Sequence, residues 1–283
     1  MRIIIKLLTL TFLLINNSHA EDVSENISKF ISEMIPGEGY TETSIDLREN
    51  NSPDFSILAV RELAETDDGN YFTQFSLFNT EKNSGERWVG NLGFGKRILS
   101  DDNLMMTGFN AFIDYDSKQN SRASLGVEAK NAVLEFSSNY YEELPDSFGN
   151  ETGEKVMDGY DLRLASQIPY LHWANAFVNS YKWKGVARDD VEGIMLGTEM
   201  LLTPTFNLEL AYDDNDKAGI EDEWYAKLQF IYPPKEGVTA QDGISDTMWR
   251  EEKDMSGELL SKVKRNNKIM IEFKGTSVIT RTD

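Results

Sequence analysis

Residues 88–99 read Trp88-Val-Gly-Asn-Leu-Gly-Phe-Gly-Lys-Arg-Ile-Leu99, and the character of the side chain changes at every second position. Side chains alternate across an extended chain, so Trp88, Leu92, Phe94 and Ile98 share one face and Asn91, Gly93, Gly95 and Arg97 the other. The segment is a strand with one apolar and one polar side. Comparable segments run from Glu42 to Arg48, Phe55 to Leu63, Tyr71 to Asn79, Leu104 to Asp114, Ser121 to Lys130 and Ala132 to Tyr141. They continue from Met157 to Gln167, Ala174 to Lys184, Val191 to Leu202, Phe206 to Asp213 and Glu223 to Tyr232, making twelve strands in all. At about 3.3 Å per residue and about 40° of tilt, a ten-residue strand spans about 25 Å, the height of an outer-membrane apolar band.

The connections alternate in length. Glu49 to Asp54, Thr80 to Glu86, Tyr115 to Asn120, Glu142 to Val156, Gly185 to Asp190 and Asp214 to Asp222 are long and polar; the intervening ones, such as Asn131 and Thr203 to Thr205, are tight. An antiparallel transmembrane barrel shows this asymmetry, with short periplasmic turns and long outer loops, and an even strand count puts both barrel ends on the periplasmic side. The lipid faces are then Leu134, Phe136 and Tyr140, Tyr160, Leu162 and Leu164, and Phe206, Leu208, Leu210 and Tyr212, alongside those of residues 88–98. The lumen receives Arg97, Glu135, Asn139, Asp161, Arg163, Glu199, Asn207, Glu209, Lys227 and Gln229. A soluble sandwich would use the same alternation with the apolar faces turned inward, and the pattern alone leaves both architectures open.

The first twenty residues look like an export signal. Arg2 precedes an apolar run from Ile3 to Ile15, and Ser18-His19-Ala20 is a small-x-small cleavage site, so cleavage is expected after Ala20. The run is too short to cross a bilayer as a helix. Formal net charge is −20, and loss of Arg2 and Lys6 with the signal takes it to −22, which argues against a nucleic-acid partner and against attraction to anionic lipid. With no cysteine there is neither a disulfide nor a thiolate metal site. Ser24 opens a short amphipathic pattern through Ile27, Phe30, Ile31, Met34 and Ile35, stopped by Pro36-Gly37. This predicts an N-terminal helix within 21–40 that caps one barrel mouth or plugs it. Aromatics near strand ends, among them Trp88, Tyr115, Tyr140, Tyr141, Tyr170, Trp173, Tyr181, Trp183, Trp224 and Tyr232, suit interfacial belts.

Several stretches together carry a family resemblance: Asn91-Leu-Gly-Phe-Gly-Lys-Arg97, Gly108-Phe-Asn-Ala-Phe-Ile-Asp-Tyr-Asp116, Arg122-Ala-Ser-Leu-Gly-Val-Glu128, Asp158-Gly-Tyr-Asp-Leu-Arg163, Pro169-Tyr-Leu-His-Trp173, Tyr181-Lys-Trp-Lys-Gly185 and Lys264-Arg-Asn-Asn-Lys-Ile-Met-Ile-Glu-Phe-Lys274. The chain resembles the β-domain of inverse autotransporters, the intimin and invasin family, over about residues 38–275. The resemblance implies an all-β, twelve-stranded outer-membrane barrel, residues 41–232, that anchors or translocates an adhesive passenger. It also implies a linker, residues 233–275, that turns back through the pore partly as a helix and leaves 276–283 as a tail. Within that linker, Lys262, Lys264, Arg265, Asn266 and Asn267 are the expected lumen contacts, the cations facing carboxylates such as Glu135, Asp161, Glu199 and Glu209. A solvated periplasmic tail is the other reading of the same charge run. Because the chain stops nine residues after Lys274, no adhesive passenger is expected within it.

Expected partners are outer-membrane lipid and the barrel assembly machinery, for which Phe230-Ile-Tyr232 resembles the terminal signal; an extracellular partner is not legible. Catalysis is not expected. The one histidine after the signal, His172, sits between Leu171 and Trp173 in a predicted turn, where an aromatic cluster explains it better than an acid–base pair does. Asp213-Asp-Asn-Asp216 and Asp114 to Asp116 lack the spacing of a calcium loop and read as solvated acidic loops, so neither metal nor cofactor is expected. The functions left are an anchor and translocator of inverse autotransporter type, or a small channel or loop-display scaffold.

Overall fold

The computed structural model describes residue 33 and residues 37–48, 53–82, 85–145, 153–186, 189–216, 222–250, 252–273 and 276–278. The expected N-terminal helix and signal peptide lie outside these residues, apart from the single position 33. Twelve strands close into one antiparallel barrel. In chain order they are β1 (Gly39–Arg48), β2 (Asp54–Thr66), β3 (Gly69–Lys82), β4 (Gly85–Leu99), β5 (Met105–Asp116), β6 (Ser121–Asn131) and β7 (Leu134–Glu143). After β8 (Glu154–Val156), which stays out of the barrel, come β9 (Gly159–Ile168), β10 (Leu171–Trp183), β11 (Val191–Thr203), β12 (Phe206–Asn215) and β13 (Glu223–Tyr232). Every barrel strand pairs with its barrel neighbours in sequence, and β1 pairs with β13 from Thr41 opposite Tyr232 to Arg48 opposite Tyr225, which closes the wall. Closure removes the open edges that an exposed sheet would carry.

The wall is inside-out relative to a soluble protein. Leu125 is 66% exposed, and Ile113, Phe109, Leu196 and Phe94 also stand outward. Arg97, Asp114 and Arg122 are fully buried within. A sandwich would invert this distribution, so the barrel reading holds. Inward glycines make room for lumen rings: a Cβ on Gly95 would sit 2.5 Å from the Phe72 ring, so that ring lies across β4 only because position 95 has no side chain.

Three expectations need correction. The loop expected from Glu142 to Val156 contains β8, which pairs with β14 (Ile271–Phe273); β14 in turn pairs with β15 (Thr276–Val278), giving a separate three-stranded sheet at the long-loop mouth. The expected C-terminal linker helix is absent among the described residues: the helical turns described in 233–273 are two 3-10 turns, Ala240–Asp242 and Met255–Glu258. Its backbone groups bond to wall side chains, which removes the demand for helical bonds. Finally, Tyr141, Tyr181 and Trp183 do not join a belt; all three point into the lumen and are buried.

Candidate functional site

The site is the lumen together with the segment that fills it. After Tyr232 the chain follows the short-turn rim, where the Lys235 amide donates to Pro204 O (2.7 Å). It meets the β9–β10 turn through four bonds. Trp173 Nε1 donates to Gly243 O (2.8 Å), and His172 Nε2 lies 3.0 Å from Thr247 O. The Ser245 amide donates to Tyr170 O (2.8 Å), and the Tyr170 amide to Met248 O (2.9 Å). The Arg250 amide then donates to Gln167 Oε1 (3.0 Å) and the Met255 amide to Asn103 O (2.9 Å), bringing the segment across the mouth. Asp254 caps the second 3-10 turn by accepting from the Ser256 amide (2.8 Å), and its hydrogen bonds with Ser256, backbone first and then side chain, hold its carboxyl below the usual range. Glu258, buried, gathers Lys130 (3.2 Å), Lys235 (3.5 Å) and Lys253.

Inside, the segment ascends along the wall residue by residue. Arg97 Nη1 donates to the carbonyls of Leu259 (2.8 Å) and Ser261 (2.6 Å) while its Nε holds Glu128 (2.7 Å). Lys262 pairs with Glu42 (3.0 Å), and the Val263 amide donates to Gln74 Oε1 (2.8 Å). Lys264 pairs with Glu199, which also takes Arg163 (2.6 Å), and Lys264 O accepts from Asn139 (2.9 Å). Arg265 reaches Asp114 through both terminal nitrogens (3.0 and 2.7 Å), and its guanidinium lies 4.2 Å from the Phe112 ring centroid. The Asn266 amide donates to the Tyr141 hydroxyl (2.7 Å), whose proton goes to Asp161 (2.6 Å); Asn266 O accepts from Arg122 (2.8 Å). Asn267 O accepts from Asn91 (2.9 Å), and Lys268 pairs with Asp54.

The direction of travel follows from β4 alone: Leu259 and Ser261 meet Arg97 near its short-turn end, Asn267 meets Asn91 at mid-strand, and Arg87 near the loop end serves the β8 loop. Apolar collars flank the charged stretch. Val263 packs with Leu58, Val60, Phe72 and Phe112, while Ile269 and Ile271 pack with Phe78, Val89 and Val156. Met270 joins Tyr141, Met157, Tyr181, Trp183 and Val191. A void of about 30 Å³ remains beside Glu42, Lys227 and Lys262, room for about two waters.

Of the residues singled out from sequence, Arg97, Asp161, Arg163, Glu199, Glu209 and Lys227 all face the lumen. Lys227 Nζ is 3.8 Å from Asp46, and Tyr225 donates to Glu209. Glu135 faces Lys130 (3.2 Å), not the linker cations. Asp161 receives Asn139 and Tyr141 rather than a lysine, and only Glu199, among the four carboxylates expected, pairs with a linker cation. Sequence reasoning missed Asp114, Asp116, Glu42, Asp54, Arg122, Arg87 and Lys268. Strand parity was the available signal for Asp114, which is two residues from Phe112, but its place in an acidic run made it look solvated. Both Asp114 and Asp116 are fully buried. Asp213 points inward and accepts from Tyr181 (3.2 Å), and among the described residues no group of acids or histidines forms a metal site.

A closed barrel, apolar outside and charged within, whose lumen is filled by the chain that follows its last strand, defines a membrane β-barrel that carries its own threaded segment. The family model for the inverse autotransporter β-domain matches residues 10–267, and the chain belongs to that family of outer-membrane barrels. Among curated relatives, intimin of Escherichia coli O111:H- is 25% identical over 206 residues, covering 69% of this chain and 22% of that protein. Intimin of Citrobacter freundii is 24% identical over 208 residues with the same coverage. The chain thus spans 22% of the length of the curated relatives it matches. A solved structure from work on the in-meso crystallization of membrane proteins superposes with a TM-score of 0.65 at 21% identity, covering 83% of this chain and all of that one, and shows the fold.

Proposed function

We propose that this barrel is the outer-membrane anchor and translocation unit of its protein, leading the polypeptide after Tyr232 through its own lumen to the long-loop side. The observation that carries this reading is the unbroken set of wall contacts from Leu259 to Ile271, running from the short-turn mouth to the β8 loop. In this orientation the short turns face the periplasm. Export by a signal peptide cleaved after Ala20, recognition of Phe230-Ile-Tyr232 by the assembly machinery, and delivery of an adhesive segment all belong to the proposal. The diffusion-channel reading has less support, because the lumen is occupied and the voids beside the segment measure about 30 and about 10 Å³.

The test uses the absence of native cysteine. Ser277→Cys in β15 and Ser117→Cys in the β5–β6 loop are treated on intact cells with a membrane-impermeant maleimide. Labelling at both sites is expected. Labelling at 117 alone leaves the segment after Ile271 in the periplasm and overturns the translocation reading.

A further inference from the structure

The three-stranded sheet at the loop mouth has a division of labour that translocation alone does not require. β14 and β15 form a hairpin three residues deep, with Phe273 opposite Thr276 and Ile271 opposite Val278. A two-stranded hairpin of that size is marginal in water, and a third strand or a packed face is needed to hold it. The third strand, β8, comes from the connection between the barrel strands β7 and β9. It pairs antiparallel with β14, Val156 opposite Ile271 and Glu154 opposite Phe273, and the Met157 amide extends the ladder by donating to Met270 O (2.8 Å).

β8 is itself braced against the wall. Glu154, buried, accepts from Arg87 Nη2 (2.7 Å), and Arg87 is held on its other side by Asp116. Asp116 in turn fixes the β5–β6 turn by accepting from the Lys118 and Asn120 amides (2.8 and 2.9 Å). Val156 and Met157 sink into the two apolar clusters that also receive Ile269, Met270 and Ile271. β8 therefore presents a braced strand edge at the point where the threaded chain leaves the lumen. Such an edge captures an extended segment by main-chain bonds, with side-chain pockets at alternate positions.

We infer that β8 is a strand-capture site that imposes β-structure on residues 271–273 and 276–278 of this chain as they emerge, so that the β14–β15 pair depends on β8 rather than forming alone. The inference rests on the translocation reading for the order of events, but the pairing can be tested separately. Lys155 lies opposite Glu272, with its side chain exposed, so Lys155→Pro strikes the β8 backbone while Lys155→Ala spares it. Amide hydrogen exchange is measured on the whole chain in lipid nanodiscs.

Expected are at least tenfold faster exchange at 271–273 and 276–278 in Lys155→Pro, little change in Lys155→Ala, and unchanged protection in β4–β6. Equal hairpin protection in the proline and alanine variants would overturn the inference. Should the proline variant also lose barrel protection, Arg87→Gln decides: it leaves the β8 backbone intact but removes its brace. Faster hairpin exchange with an intact barrel supports capture, and an unmoved hairpin overturns it. Should neither Ser277→Cys nor Ser117→Cys label on intact cells while hairpin exchange responds as expected, the loop mouth faces the periplasm, which sinks translocation and leaves capture standing.

Discussion

The barrel strands and the segment inside them solve the same problem in opposite ways. Each strand meets the needs of its backbone through two ladders, so its side chains are free to divide into an apolar outer and a polar inner row. The threaded segment has no ladder until Ile271. Its carbonyls and amides are served by Arg97, Gln74, Asn139, Arg122, Asn91 and Tyr141, each a single wall side chain. A ladder distributes support over many bonds, whereas this segment hangs on a few. The difference implies that the wall tolerates point changes the segment does not.

The largest expected effect comes from the acceptor that most tightly joins the two regions. Asp114 is fully buried and receives both Arg122 and Arg265. Asp114→Ala leaves two buried guanidinium groups short of a counter-charge, a loss of about 3–5 kcal/mol. Exchange protection at 264–267 is expected to collapse while β9–β12 stay protected. Uniform loss across the barrel would show that wall and segment are one cooperative unit and break the comparison. Next comes the lipid face. Leu125→Arg near the middle of β6 puts a charge where 66% exposure faces the hydrocarbon, at a cost of about 2–4 kcal/mol. Here the temperature of heat-induced unfolding in micelles should fall for the whole barrel, with no selective change at 264–267.

A smaller effect is expected where the partners are less buried. Lys262→Glu faces Glu42 with a like charge, and the side chains are 17% and 5% exposed. Exchange at 261–264 should quicken, and Glu42→Lys in the same chain should restore most of the protection. If the swap rescues nothing, the pair is incidental and the register is fixed by the backbone contacts alone. Conductance in planar bilayers should stay low in the swapped chain, because the collars around Val263 and Ile269 are untouched.

These contrasts track what the sequence could and could not disclose. Alternation with a period of two is imposed by the ladder, so Trp88, Leu92 and Phe94 against Asn91 and Arg97 disclosed the strand and its faces. The threaded segment has no period, because even the carboxylates that meet its cations come from four different wall strands: Glu42 on β1, Glu199 on β11, Asp114 on β5 and Asp54 on β2. Charge sign therefore picked out Lys262, Lys264 and Arg265, but it could not choose Asp114 over Asp161. The resemblance implies a partly helical linker, yet the wall already supplies acceptors and donors for the stretch from Leu259 to Val263. β8 was illegible for a related reason: three residues are too few to show a period, and the brace that holds them, Arg87 with Asp116, sits on other strands.

The smallest effect is expected at His172, and it tests whether the rim belongs with the wall or with the segment. His172 Nε2 meets Thr247 O at 3.0 Å in an exposed setting, and the same stretch is also tied by Trp173 to Gly243 and by Tyr170 to Ser245 and Met248. Two backbone bonds and the Trp173 indole bond surround one exposed contact, so His172→Ala should shift stability by no more than about 0.5 kcal/mol. Labelling at Ser277→Cys should also be unchanged. A larger shift would mean that the rim contacts act as the single-point supports seen deeper in the lumen, and the dividing line between robust and fragile contacts would move from the mouth to the β9–β10 turn. Loss of a chemical activity would instead place acid–base work at this imidazole, for which the surrounding carbonyls and rings provide no partner acid.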